Sequence, residues 1–395
     1  MTTASAEATG AKPVPLWSLG FRPFFLAAGL WPALAVAVWI VMFATGETLP
    51  SRFAPLDWHI HAMLFGFVPA AIAGFLLTAI PNWTGRPPVH GRALAILAGL
   101  WLAGRVVAFL SALIPLWLAA LIDLSFLFAL AGVAAREIIL ARNWRNAAIP
   151  LPVCVLGIAN LLMYLELGGV ALPPGLGWRL GLAAIIILIS VIGGRIIPNF
   201  TRNWLMRQRQ SALPPAPDLV DRAALGTLHL GLIGWAFLPD IQVVGWLLLL
   251  AGALNVLRVA RWRGIATLGE PLLAILHIGY FWVAAGAALL GAAMLSYAVP
   301  QAAAIHALTA GAIGTMILAV MTRVARGHTG RPLAADRTTV WIYALVSLSA
   351  LVRVIAAFSA AWMMPLLEAS AILWIAAFLL FTTIYGPYLL QPRTS

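Results

Sequence analysis

Trp58-His59-Ile60-His61-Ala62-Met63-Leu64-Phe65-Gly66-Phe67 opens a run that continues to Ala79 with no charged side chain other than what the two histidines can carry. A membrane-spanning helix needs roughly 20 apolar residues, and this run supplies them. It predicts a transmembrane helix, and an imidazole inside hydrocarbon needs a partner or a function. His59 and His61 stand about 200° apart around an ideal helix, so the two do not readily serve one metal.

The rest of the chain follows the same pattern. Of 395 residues 63% are hydrophobic and 9% charged, with a mean hydropathy of +0.99, and no water-soluble surface can be built from that inventory. The fold class is all-α, a polytopic membrane bundle. Pro, Gly and Arg clusters divide it into twelve spans, near 23–44, 58–79, 92–111, 115–135, 149–168, 178–197, 222–239, 241–260, 271–296, 301–323, 338–359 and 363–386. The expected organisation is one integrated membrane domain. A polar tail (1–22) leads to six spans (23–200), a linker (201–221) with the Pro-rich run Leu213-Pro214-Pro215-Ala216-Pro217, six more spans (222–388) and a short tail (389–395). The stretch Met1–Pro15 has no cleavable signal pattern, which implies direct insertion.

The formal charge of +12 is not a nucleic-acid signal, because the arginines fall in alternate loops. Arg86 and Arg92, Arg136 to Arg145, Arg202 to Arg209, Arg258 to Arg263, and Arg323 to Arg337 share one side, and Arg52 is the main exception. This positive-inside pattern places both termini in the cytoplasm and sets nucleic-acid partners aside. The single cysteine, Cys154, excludes intrachain disulfides and Cys-based zinc or iron–sulfur sites.

The chain also repeats itself. His61-Ala62-Met63 is followed 23 residues on by Thr84-Gly85-Arg86-Pro87, and His306-Ala307-Leu308 is followed 23 residues on by Thr329-Gly330-Arg331-Pro332. Arg105-Val106-Val107-Ala108 is matched by Arg353-Val354-Ile355-Ala356. Related units in a membrane bundle create an interface where a group can bind.

Without thiols, metal ligands come from the intramembrane histidines His59, His61, His229, His277 and His306. The repeat favours His61 and His306 as an axial pair at matched depth, with Arg105 and Arg353 as cations for the propionates of a bound haem. In the bland reading the histidines bond carbonyls or hydroxyls between helices, and Arg105 pairs with Asp123. Glu166, Arg195 and Glu368 are too scattered for a proton path. Pro81-Asn82-Trp83-Thr84-Gly85-Arg86 and Pro198-Asn199-Phe200-Thr201-Arg202 read as helix stops with an anchoring arginine. Trp58 is expected near the headgroups, and His90 and His328 in solvated loops.

Four segments resemble signatures of the NnrS family: Leu19-Gly20-Phe21-Arg22-Pro23-Phe24-Phe25, Asp57 to Met63, Thr78 to Arg86, and Gly194-Arg195-Ile196-Ile197-Pro198-Asn199-Phe200-Thr201. The resemblance covers essentially the whole chain. It implies a bacterial inner-membrane protein carrying b-type haem and copper, with nitric oxide as ligand or substrate in denitrification or nitrosative-stress defence. Twelve spans with histidines on the second and tenth also look like the catalytic subunit of haem–copper oxidases and nitric oxide reductases. That likeness makes His61 and His306 haem ligands and leaves His59, His229 and His277 for a second haem or copper, although the chain lacks the adjacent His-His pair of such a copper site. If the chemistry is reductive, two nitric oxide molecules, two electrons and two protons give nitrous oxide and water. Sensing and scavenging suit the same ligands. No cytochrome attachment motif, nicotinamide fingerprint or quinone signature occurs, so the electron donor is not legible. Two alternatives compete: a secondary transporter holding a small anion on Arg105, Arg353 and Asp123, and an assembly factor handling haem or copper.

Overall fold

The computed structural model describes residues 14–394; the polar tail expected at the N-terminus lies, up to residue 13, outside the described residues. Every expected span is a helix. In chain order these are α1 (Phe21–Thr45), α2 (Pro55–Thr84), α3 (Gly91–Phe109), α4 (Leu116–Leu140), α5 (Pro150–Leu167), α6 (Leu176–Arg207), α7 (Leu219–Phe237), α8 (Gln242–Arg261), α9 (Pro271–Leu295), α10 (Gln301–His328), α11 (Arg337–Ala356) and α12 (Met363–Leu390). Eleven are long and apolar enough to cross a membrane. The twelfth, α7, is diluted by Asp221 and Arg222 in its first turn and His229 further on. The described residues contain no strand.

Local chemistry sets the helix ends. Proline, which lacks the N–H that a first turn leaves unpaired, starts α2, α5 and α9 at Pro55, Pro150 and Pro271. Asp218 and Asp336 cap α7 and α11 with their carboxylates. Gly85 ends α2 with a left-handed φ of 70°, where a side chain would be strained.

Two of the expected helix stops are read through. α2 continues past Pro81 to Thr84, and α6 runs past Pro198 to Arg207, ten residues beyond its expected end. Proline removes one backbone donor and frees one carbonyl, and a long helix with good bonds on either side tolerates that loss. The turn words of the repeat are the true stops, since Gly85 and Gly330 both take positive φ.

Helices adjacent in sequence pack side by side from α3 through α10, and α11 packs on α12, α12 on α1 and α1 on α2. Arg22 fastens the closure. Its Nη1 donates to the carbonyls of Leu389 (2.8 Å) and Gln391 (2.6 Å) at the end of α12. Inside this ring α2, α6 and α10 touch one another, and they are spaced four helices apart in sequence. The surroundings recur accordingly: α2 packs on α1, α3 and α4, and α10 on α9, α11 and α12. The duplication seen in the sequence is therefore matched by the packing around α2 and α10.

Both inner helices that carry the repeat are interrupted directly after their histidine. Ala62–Phe67 and Ala307–Gly314 are π-helical, wider turns that recur at functional sites. Indole N–H groups attach to the first of them: Trp31 donates to the Ala62 carbonyl (2.8 Å) and Trp101 to that of Gly66 (2.9 Å).

Candidate functional site

A cavity of about 310 Å³ lies where α1, α2, α6, α10, α11 and α12 meet. That size is at the lower bound of the roughly 300–1,000 Å³ of ligand pockets. It sits near the Arg-poor ends of α2 and α10, and its wall is mostly aliphatic and aromatic, with Trp39, Trp178, Trp374 and Phe67 contributing. His59, His306 and Arg353 supply its ionisable groups.

His306 has a fixed tautomer. Its Nδ1 meets the Ala302 carbonyl at 2.8 Å, and since a carbonyl only accepts, Nδ1 carries the proton and Nε2 keeps a lone pair. This is how proteins prepare an imidazole for a metal, with one nitrogen donating to a backbone oxygen and the other left to bind. His59 lies over Trp39, ring centroids 4.4 Å apart, and its buried Nδ1 has no partner among the described residues. Arg353 makes no hydrogen bond or ion pair among the described residues, although it lines the same cavity.

His61 is elsewhere. It is fully buried, and its Nε2 lies 2.9 Å from Asp123 Oδ2 and 3.0 Å from Asn160 Oδ1, so Nε2–H donates to both. Asn160 (2.8 Å) and Tyr164 (3.3 Å) also donate to Asp123 Oδ2, and the Arg105 guanidinium is ion-paired with Oδ1. Phe53 stacks on the imidazole at 4.7 Å. The expected pairing of His61 with His306 around one group is thus not what the structure brings together. Each copy of the repeat presents its histidine to its own neighbours: His61 meets Asp123 of α4 and Asn160 of α5, whereas His306 lines the cavity with residues of α11, α12 and α1. His59, on the opposite side of α2, is the imidazole that shares the cavity with His306. Arg105, expected to meet a cofactor, has Asp123 as its anion.

The other two intramembrane histidines serve helix contacts. His229 is hydrogen-bonded to Ser190 (2.8 Å) and His277 to Thr201 (2.9 Å), both on α6. Each hydroxyl already gives its proton to a carbonyl one turn back, Ile187 and Ile197 respectively, so the imidazoles are the donors. His328 is no loop residue either; it ends α10 and packs against Phe21, centroids 5.7 Å apart. Trp58, expected near headgroups, is buried against Phe109. Among the described residues no group of three or more His, Cys, Asp or Glu is placed to hold a metal ion.

Asn160 and Tyr164 were not anticipated as members of a site. Their signal was present: two polar side chains four residues apart on one face of an otherwise apolar span.

The chain is thus a multi-pass helical bundle in which two half-buried imidazoles and a half-buried guanidinium line one largely apolar cavity. The family model of the NnrS protein matches residues 15–393, nearly the full length, and the chain belongs to that family, whose members are membrane proteins linked to the response to nitric oxide. Comparison with curated proteins finds no match.

Proposed function

We propose that this chain is a haem-bearing protein of the bacterial inner membrane that binds nitric oxide, with His306 and His59 as the residues that would hold the haem. The observation that supports this reading is the pair of imidazoles without committed lone-pair partners, one from α2 and one from α10, at a single apolar cavity. The donor set suits haem, which takes imidazole nitrogen. When bound, haem supplies an iron centre with affinity for nitric oxide.

The protein's own residues do the rest. The Nδ1–H bond of His306 to Ala302 keeps Nε2 aprotic and holds the ring against rotation. Trp39 packs over His59 and limits its rotamers. The aliphatic and indole wall disfavours water, which suits a small uncharged gas that partitions from the bilayer, and lowers the local dielectric around the imidazoles that would hold the haem.

An absorption spectrum of the detergent-purified full chain tests the reading. A Soret band that shifts under anaerobic nitric oxide is expected, and a folded, colourless protein that takes up no haem would end it. Gas consumption with an artificial electron donor then separates reduction from binding alone. The lone Arg353 favours a second reading, a carrier for a small anion; uptake of a labelled anion by vesicles containing the haem-free protein would establish that one instead.

A further inference from the structure

The two copies of the repeat treat the same arginine differently. In the first, Arg105 is followed 18 residues later by Asp123, and the two form a buried ion pair between α3 and α4. In the second, Arg353 is followed 18 residues later by Ala371, and both line the cavity. The connections match closely, since α3 leads to α4 and α11 to α12 through loops of equal length, 110–115 and 357–362. The first pocket is filled from within, by Asp123, Asn160, Tyr164 and Phe53. The second has no carboxylate at the matching position and is open.

A guanidinium in a membrane span needs an anion. On α10, α11 and α12 no Asp or Glu lines the cavity: Glu368 of α12 is exposed, and it is not among the cavity's lining residues. We infer that the cavity takes a ligand that carries its own carboxylate, and that this carboxylate pairs with Arg353 as Asp123 pairs with Arg105. Asp123 is in effect an internal copy of the missing ligand group. The inference deepens the haem reading and rests on it, because protohaem bears two propionate carboxylates as well as an iron that takes imidazole nitrogen, and His306 and Arg353 both line the cavity as His61 and Arg105 both meet Asp123.

The test is a Soret titration of the haem-free full chain with protohaem and with its dimethyl ester, in which both carboxylates are masked and the macrocycle and iron are unchanged. A hydrogen-bonded charge pair corresponds to about tenfold or more in affinity, so the free acid is expected to bind wild type at least about tenfold tighter than the ester. The gap should close in Arg353→Gln, and also in Ala371→Asp, which returns to the second copy the carboxylate that the first one has. Arg353→Lys should keep part of it. Equal binding of acid and ester by wild type would overturn the inference and leave the histidine assignment standing. Binding of neither porphyrin would overturn both. The wild-type comparison decides the matter even where a variant does not fold.

Discussion

His59 and His61 lie two residues apart on α2 and serve opposite sides of it: the first lines the cavity shared with His306, and the second is sealed into the Asp123 cluster by two hydrogen bonds and the ring of Phe53. One helix thereby connects two pockets of different character. The ligand cavity is built against a wall whose far side is a closed polar network, so the position of His59 depends on how well that network holds α2 in rotation.

The separation predicts different phenotypes for the two histidines. His306→Ala and His59→Ala should each change the haem spectrum, through loss of an imidazole at the cavity, with little loss of stability. His61→Ala should leave the spectrum of the bound haem in place while lowering stability by about 1–3 kcal/mol, because Asp123 and Asn160 lose a buried donor. Absorption spectra and thermal melts of the three purified variants check this. A haem spectrum lost only in His61→Ala would reverse the assignment.

The Asp123 cluster should behave as a buried ion pair. Asp123→Ala leaves the guanidinium of Arg105 buried without its anion, and removal of one partner of such a pair costs about 3–5 kcal/mol. Replacing both, as Asp123→Leu with Arg105→Leu, removes the stranded charge and should recover much of that loss. A double-mutant cycle from denaturation in mixed micelles measures the coupling. Additive single effects would mean that Arg105 finds another partner, and its Nε and Nη1 have none among the described residues.

The spans were legible because each is a self-contained apolar run punctuated by arginine and proline, and hydrocarbon thickness fixes its length. Even α7, with its acidic and basic first turn, was visible as a helix of the right length. Rotation about a helix axis was not legible in the same way. The alignment of His61 with His306 is real, but a repeat alone does not say whether its copies meet face to face or follow one another around a ring. The π turns after both histidines depend on packing rather than composition. Trp31 and Trp101 reach the carbonyls of one of them from other helices, and no local pattern announces that. The difference between Asp123 and Ala371, by contrast, stood in the sequence and acquired meaning only when Ala371 was found at the cavity.

Close helix contact at Gly291 gives a prediction about assembly. A Cβ there would lie 2.5 Å from the Gly245 carbonyl oxygen and 2.7 Å from the Leu249 nitrogen, and backbone does not yield as a side chain does. Small residues allow such approach between membrane helices. Gly291→Ala should therefore cost roughly 1–3 kcal/mol by prying α8 from α9. At Gly99 a Cβ meets nothing within 4 Å, and Gly99→Ala should stay within about 0.5 kcal/mol of wild type. Unfolding titrations in detergent compare the two, and equal effects would refute the close-contact argument.

Outside the spans, acid should loosen the start of α7 through Asp218. The hydrogen bond from Arg261, with help from the backbone N–H of Val220, draws this carboxyl down to about 2. An unperturbed aspartate titrates near ~3.9. Because the folded value is depressed, the stabilisation is fully present above about pH 4–5 and is lost as pH falls through about 2. Asp218→Asn keeps an oxygen that can accept from the first turn but carries no charge for Arg261. The difference in melting temperature between wild type and this variant should be constant from pH 5 to 7 and shrink as pH is lowered from about 4 to 2. Other carboxylates titrate in that window in both proteins, so the difference, rather than either curve, carries the information. A difference that stays constant down to pH 2 would show that Arg261 does not hold Asp218 in its ionised form.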